Sequence, residues 1–333
     1  MRWGLIGAST IASQWVIGAI REQHGASVDY VVSSSRARGP AYADEHNIPS
    51  SGTSVDDCVG DPNIDAVYIS TTNEKHFAQA MAAIDAGKHV LCEKPLAMSL
   101  GEAAEMVRKA QTAGVIFATN HHLRCSGSHR AIRALVEAGE IGTPLSLRIH
   151  HAVHLPESLQ GWRIDNKGAG GGVILDLVVH DADVTRFLLG EDPQTVMASA
   201  TASGMGQGVE DSSMVLMQMP SGAMVMTHES FTHPFAGSGL ELHGTKGSVF
   251  ARDVMTQQPV GEVELVTKAG RKTVTFDATN LYVTALREFY AAVAGQGGPA
   301  ADGPDGVKSL AVALAALQSA ETGTRQTVDY GGF

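Results

Sequence analysis

Residues 4–13 read GLIGASTIAS, between an apolar run at Leu5-Ile6 and a segment, Ile11 to Ile20, whose apolar residues recur three and four apart. A glycine turn joining a strand to a helix suits a dinucleotide, because free amides at a helix N-terminus attract a phosphate. The fingerprint here is degenerate. Gly7-Ala8-Ser9-Thr10-Ile11-Ala12 spells G-x-S-x-x-A in place of G-x-G-x-x-G. Gly7 keeps the tight turn, Ser9 adds a hydroxyl able to donate to phosphate, Thr10 and Ile11 open the helix, and Ala12 still permits close helix–strand packing. An ordinary strand–turn–helix corner is the alternative, and the context of the motif weighs against it.

That context is a chain of alternating elements. Val28 to Val32, Ala66 to Ile69, Val90-Leu91 and Val115 to Phe117 read as further strands, and His76 to Ala86 and Ser99 to Ala113 as helices closed by Gly87 and Gly114. Strands alternating with helices imply an α/β fold with a doubly wound parallel sheet over residues 1–120. The texture then changes. Ser128 to Ala138 is helical, and PLSLRIHHAVHL (144–155) alternates Leu145, Leu147 and Ile149 with Ser146, Arg148 and His150. A helix follows over about 173–189, then alternating segments between 195 and 276, then helices at 281–294 and 304–320. Residues 121–333 are therefore expected to form a second α/β domain around an antiparallel or mixed sheet, one face more polar than the other. Met214, Met217, Met219, Met224 and Met226 read as packing within that sheet.

The end of the second strand bears on the cofactor. VDYVVSSSRAR (28–38) holds its only acid, Asp29, near the strand's start, and ends on Ser33, Ser34 and Ser35 followed by Arg36 and Arg38. A carboxylate at the strand end would bind a ribose 2′-hydroxyl. Hydroxyls and guanidinium groups suit a 2′-phosphate instead, so NADP(H) is the expected cofactor. Composition narrows the partners: a net charge of −11 without a basic block argues against nucleic acid or an anionic membrane surface. No apolar run reaches the length of a membrane span, and Met1-Arg2 leads into a strand rather than a signal peptide. The three cysteines, Cys58, Cys92 and Cys125, show no metal-ligand spacing and suit reduced thiols in a cytoplasm.

Two stretches carry the candidate chemistry. In GKHVLCEKPL (87–96), Lys94 follows a strand and falls at the carboxyl edge of the sheet, where ligands bind in such folds. In AGGGVILDLVVHDADVTRFLLG (169–190), an α-helix would set Asp176, His180 and Asp183 on one outward face, while Val173, Leu177, Val184 and Leu188 pack inward. A carboxylate beside an imidazole can orient a general acid or base, although a merely solvated face has the same pattern. A metal is not expected. His150 and His154 on one strand lie ~13 Å apart, and His121 and His122 point opposite ways if extended.

GASTIA, STTNEKH (70–76), GKHVLCEKPL and GGGVILDLVVHDAD (170–183) occur here in the order of the glucose–fructose oxidoreductase and inositol dehydrogenase family (Gfo/Idh/MocA), which the chain resembles over essentially its whole length. RWGLIGASTIA, TNHHLR (119–124), LQGWR (159–163) and NLYVTAL (280–286) resemble the sugar-ketone reductases within it. The resemblance implies a Rossmann domain joined to an α/β domain with a large open, mostly antiparallel sheet, a C-terminal helix packing back on the first domain, and a substrate cleft. It implies a catalytic set of Lys94, Asp176 and His180, often with a cis Lys94–Pro95 bond. It also implies that Ser70, Thr71, Thr72, Asn73, His76, Glu93, Asn120, Trp162, Arg163 and Tyr282 line the cofactor. Ser9, Ala12 and Thr72 depart from the usual pattern and count against generic NAD use. The activity implied is NADPH-dependent reduction of a sugar-like ketone. An NADP-dependent sugar or inositol dehydrogenase and a non-catalytic NADP-binding sensor stand as alternatives. Relatives often pair through the open sheet, but Ser146, Arg148 and His150 make part of that face polar, which favours a monomer over a homodimer.

Overall fold

Leu5 and Ile6 carry the first strand into a core that both faces of a sheet must cover. In the computed structural model, which describes all 333 residues, β1 (Arg2–Ile6), β2 (Ser27–Val32), β3 (Ser50–Gly52), β4 (Ala66–Ile69), β5 (His89–Cys92) and β6 (Phe117–Thr119) form a parallel sheet ordered β3-β2-β1-β4-β5-β6. All four residues of β4 are buried, as a central strand between two helical layers requires. The connections carry α1 (Ile17–Arg21), α2 (Arg38–Glu45), α3 (Val55–Val59), α4 (His76–Asp85) and α5 (Leu100–Ala113). The helix after the glycine turn includes a π turn at Ala12–Val16 before α1. β6 begins two residues later than the apolar run suggests. Gly114 is left-handed and Val115 N–H still donates to Ala110 O, so those residues close α5 before the strand starts.

The second unit is built on α6 (Gly127–Glu137), α7 (Trp162–Asp165), α8 (Val179–Leu189) and a nine-stranded sheet. Its strands are β7 (Pro144–Ala152), β8 (Thr195–Thr201), β9 (Ser212–Gln218), β10 (Met224–Ser230), β11 (Ser238–Gly244), β12 (Gly247–Arg252), β13 (Glu262–Thr267), β14 (Gly270–Thr273) and β15 (Gln326–Thr327). They run β14-β13-β12-β11-β7-β10-β9-β8-β15, antiparallel except for β7 beside β10. The inner face buries Leu147, Ile149, Val215, Met217, Val225 and Leu242, with α8 against it. The outer face reads Arg148, Met226, Leu216 and Met197 across one row of β7, β10, β9 and β8. This corrects the reading of the methionines: Met217 and Met219 are buried, but Met214, Met224 and Met226 are exposed. Alternation along a strand puts every second residue outside, and these three have the outward parity.

The last third of the chain includes α9 (Leu281–Val293) and α10 (Gly303–Thr322). Tyr282–Val307 groups with Met1–His121, while Lys308–Phe333 groups with His122–Leu281. The first unit thus takes back a segment from beyond the residue-120 boundary. Trp3, fully buried, packs on Phe289 at 5.2 Å and donates its Nε1–H to Tyr290 Oη at 2.8 Å. Thr119 N–H and Oγ1–H donate to Ala301 O and Asp302 O.

Candidate active site

In the first unit the strand order reverses between β1 and β4, and the carboxyl ends of those strands form the crevice expected to take a ligand. Gly7 has φ +118°, and a Cβ there would meet Ser70 C and O at 3.0 Å. Only glycine lets β1 turn this close to the end of β4. Ser9 Oγ lies 2.7 Å from Ser70 Oγ and accepts Ala12 N–H at 3.1 Å, while Tyr42 Oη–H donates to Ser9 O at 2.9 Å. The hydroxyl that the sequence offers to phosphate therefore braces the loop across the switch point. Ala12 is fully buried and serves packing alone, and Thr10 and Ile11 remain partly exposed.

At the end of β2, Ser33 is buried and its Oγ accepts Ser35 N–H at 3.3 Å, while Ser34 and Arg38 are exposed. Asp29, at the strand's other end, is paired with Arg2. After β4, Thr71 donates to Gln79 and Thr72 to Glu74, and Asn73 is buried. His76 has no exposed surface, and its ring nitrogens lie 2.9 Å from Pro95 O and 3.2 Å from Thr71 O. Burial lowers its pKa against those hydrogen bonds. His76, expected on the cofactor, joins the turn after β4 to the turn after β5 through these two contacts. After β5, Glu93 Oε1 takes Tyr68 Oη–H and, at 2.5 Å, Asn120 Nδ2–H. Burial raises the Glu93 pKa and these two bonds oppose it. The next residue, Lys94, is half-buried, and the Lys94–Pro95 bond is cis. Tyr282 is buried and stacks on Trp15 with ring centroids 5.8 Å apart.

In the second unit the glycine run sets the entry to the helix. Gly171 lies where a Cβ would meet Trp162 O at 2.4 Å, and Gly172, at φ +113°, where it would meet Glu210 Oε1 at 2.3 Å. Glu210 closes the helix start, accepting Val173 N–H on its carbonyl and Ile174 N–H on Oε1. Asp176 follows inside a π turn, Ile174–Val178, which adds a residue to the turn and displaces the simple i, i+4, i+7 face. Asp176 is partly exposed, 3.4 Å from Arg163 Nε, and the Arg163 guanidinium lies over the Trp162 ring at 4.7 Å. Arg163, expected on the cofactor, has the helix carboxylate beside it.

The outward-facing helix also needs correction. α8 is buried nearly all round: His180 is 6 % exposed, and Asp183, 1 % exposed, is held by Arg124 through bonds of 2.8 and 2.7 Å. Asp183 thus belongs to a buried ion pair with Arg124 and Arg186. His180 lies between two other imidazoles, His122 at 5.0 Å and His151 at 6.2 Å between ring centroids. His151 Nδ1 is 3.0 Å from Asp181 Oδ1. Sequence reasoning gave neither His122 nor His151 a role in the site. For His151 a signal existed, since alternation in PLSLRIHHAVHL puts it on the face of Leu147 and Ile149.

Comparison with known proteins agrees with this architecture. Residues 1–121 match the model of the oxidoreductase family with an NAD-binding Rossmann fold, and residues 129–250 match the GFO/IDH/MocA C-terminal domain. The chain is 53 % identical over 331 residues to 1,5-anhydro-D-fructose reductase of Ensifer adhaerens, covering 99 % of both chains. It is 31 % identical to D-xylose 1-dehydrogenase (NADP(+)) 2 of Haloferax volcanii, covering 99 % of this chain and 100 % of that one. Aldose-aldose oxidoreductase of Caulobacter crescentus shares the fold, with TM-score 0.90 at 23 % identity over 98 % of this chain and 99 % of that one. With both family domains present and a relative matched from end to end, the chain belongs to the Gfo/Idh/MocA family of nicotinamide-dependent oxidoreductases.

Proposed function

We propose that this enzyme uses NADPH to reduce the C2 ketone of 1,5-anhydro-D-fructose to 1,5-anhydro-D-mannitol. The observation that carries the substrate is the 53 % identity, over 99 % of both chains, to a reductase of that name. The cofactor choice is supported by the end of β2, where Ser33, Ser34 and Arg38 stand without a carboxylate and Asp29 is engaged elsewhere by Arg2. The Gly7 turn, too close to Ser70 for any side chain, is a backbone cradle of the kind that takes a pyrophosphate.

NADPH supplies the hydride when bound. The chain's own groups handle the oxygen. His180 holds the proton that the developing alkoxide takes up, and Lys94 offsets the negative charge on that oxygen before protonation. Asp176 keeps a negative charge near the imidazole, and Arg163 at 3.4 Å limits where its carboxylate can point. Glu93, Asn73 and Asn120 are assigned to orienting the nicotinamide end, and Ser9, Thr10, Ser33, Ser34 and Arg38 to the phosphates. The substrate is read as a small sugar, with no macromolecular partner. No helix is long and apolar enough to cross a membrane.

The test is NADPH oxidation by the purified enzyme over a panel of 1,5-anhydro-D-fructose, other osones, ketoses and inositols, repeated with NADH. Highest kcat/KM for the anhydro sugar with NADPH is expected. Turnover confined to inositols or aldoses, or equal use of NADH, would overturn the reading.

A further inference from the structure

Beneath His180 lies a second acid–imidazole arrangement that the proposed chemistry does not use. Glu229, next to the last residue of β10 on the inner face, and Asp181, on α8, are both fully buried. Glu229 Oε2 accepts Ser213 Oγ–H from β9 at 2.7 Å, and Asp181 Oδ1 takes His151 Nδ1–H from β7 at 3.0 Å. The remaining oxygens, Glu229 Oε1 and Asp181 Oδ2, have no protein hydrogen-bond donor, and the two carboxyl groups face one another. Two ionised carboxylates offer only acceptors, and neither could satisfy the other in a site without water-facing surface. A single proton between them resolves both orphan oxygens at once.

We propose that Asp181 and Glu229 share one proton and that this pair, through His151, is a positioning unit for His180. Glu229 is the protonated partner: burial and the neighbouring Asp181 both push its pKa well up. Asp181 is the anion, accepting from Glu229 on one side and from His151 on the other. An ionised carboxylate cannot donate, so His151 is fixed with its proton on Nδ1 and its ring held at 6.2 Å from that of His180. One negative charge is thereby stationed below the imidazole that must hold the reaction's proton. It raises the proton affinity of His180 without contact with substrate.

The groups facing this unit come from four elements. β9 gives Ser213 and β10 gives Thr227. α6 gives His129, which is kept neutral by burial and by His151. α8 gives His180 itself and Asp183, whose charge is matched by Arg124 and Arg186. The Ser213 and Thr227 hydroxyls serve Glu229 and oppose the rise in its pKa, but no neighbour donates to Asp181 Oδ2, so that donor has to come from Glu229.

The role assigned to His180 rests on the proposed function, but the unit can be read without substrate. In the infrared spectrum of the whole apoprotein in D2O at neutral pD, a protonated-carboxyl C=O band should be present, and Glu229→Gln should remove it. NMR titration of the His180 ring, assigned with His180→Asn, should show its pKa falling by about one unit in Asp181→Asn, the scale of a lost nearby charge. Glu229→Gln keeps a hydrogen-bond donor toward Asp181 and should restore near-normal His180 titration. The alkaline limb of kcat/KM for ketone reduction should move down with the NMR value in Asp181→Asn. Absence of the band in wild-type protein overturns the shared proton, whether or not the variants fold. A present band with an unmoved His180 titration in Asp181→Asn overturns the positioning role. Loss of all activity on the sugar panel, with both spectroscopic results as expected, would instead refute the proposed function.

Discussion

His180 and Ser33 bring the proposed chemistry down to single side chains, one for the proton and one for cofactor choice. His180→Ala should lower kcat by about 10²–10⁴, the usual worth of a positioned general acid. Its NADPH Kd by fluorescence titration should stay at the wild-type value, because the nucleotide loop is built from other residues. A wild-type single-turnover hydride-transfer rate in this variant would assign the proton to another group. Ser33→Asp should raise the NADPH Kd by about tenfold or more through like-charge repulsion, and NADH should suffer much less. Equal losses for both cofactors would mean that Ser33 does not face the 2′-phosphate. His129 gives a stability prediction. It has no exposed surface, its Nε2 has no partner, and burial lowers its pKa to about 4. Above about pH 6.5 both folded and unfolded states hold it neutral, so nothing is lost. Between there and pH 4 the unfolded chain binds the proton first, and stability falls as the pH falls. His129→Leu should therefore gain roughly 2 kcal/mol on wild type in going from pH 7 to pH 5. Equal pH dependence of the two urea midpoints would show that the native ring takes up its proton as readily as the unfolded one.

At the scale of elements, the helix bearing Asp176 and His180 depends on how it is entered. Gly172 has φ +113°, and any Cβ there presses on the Glu210 carboxylate that accepts Ile174 N–H. Gly172→Ala should thus strain the backbone, displace Glu210 and shift the first turn, costing about 1–3 kcal/mol. Activity should fall with it while NADPH binding holds. Gly101→Ala is the control, since nothing lies within 4 Å of its would-be Cβ inside α5. It should be neutral or stabilising by up to about 1 kcal/mol. Matching Tm losses in both variants would remove the special role of Gly172. Five of the six parallel strands and the glycine turn were legible in the sequence because each rests on neighbours in the chain: an apolar run, a φ only glycine adopts, a helix cap. The edge strand β3, Ser50–Gly52, has no apolar residue to mark it and was missed. α2 and α3 were not, since Arg38–Glu45 buries only Gly39, Tyr42 and Ala43, and Val55–Val59 only Cys58 and Val59. The π turn under Asp176 was also hidden, because apolar spacing does not distinguish it from an α turn. The cluster of His151, Asp181, Ser213 and Glu229 is assembled by pairing β7, β10 and β9 under α8. Periodicity assigned His151 its face but could not supply its partners.

For the molecule as a whole, the nucleotide unit is not a contiguous piece of chain. Met1–His121 holds all six parallel strands, yet its residues pack on Tyr282–Val307. Trp3 is fully buried against Phe289 and Tyr290, Trp15 stacks on Tyr282, and Gln23 donates to Val283 O. Gly306 sits where a Cβ would meet Thr119 Oγ1 at 2.2 Å, which shows how closely the start of α10 lies on the end of β6. Losing the partners of a buried Trp costs about 3–5 kcal/mol, a large part of the roughly 5–15 kcal/mol that holds a domain. The fragment Met1–His121 should therefore show no cooperative thermal transition and no NADPH binding, although it contains every phosphate-loop residue. Joining residues 282–307 to it through a flexible glycine–serine linker should restore both, because the missing contacts are supplied and the linker costs only loop entropy. Trp3→Ala in that linked protein should abolish the gain, which ties it to this contact rather than to added length. A fragment of residues 1–121 that melts cooperatively and binds NADPH as tightly as the full chain would show that the first sheet and its helices are self-sufficient.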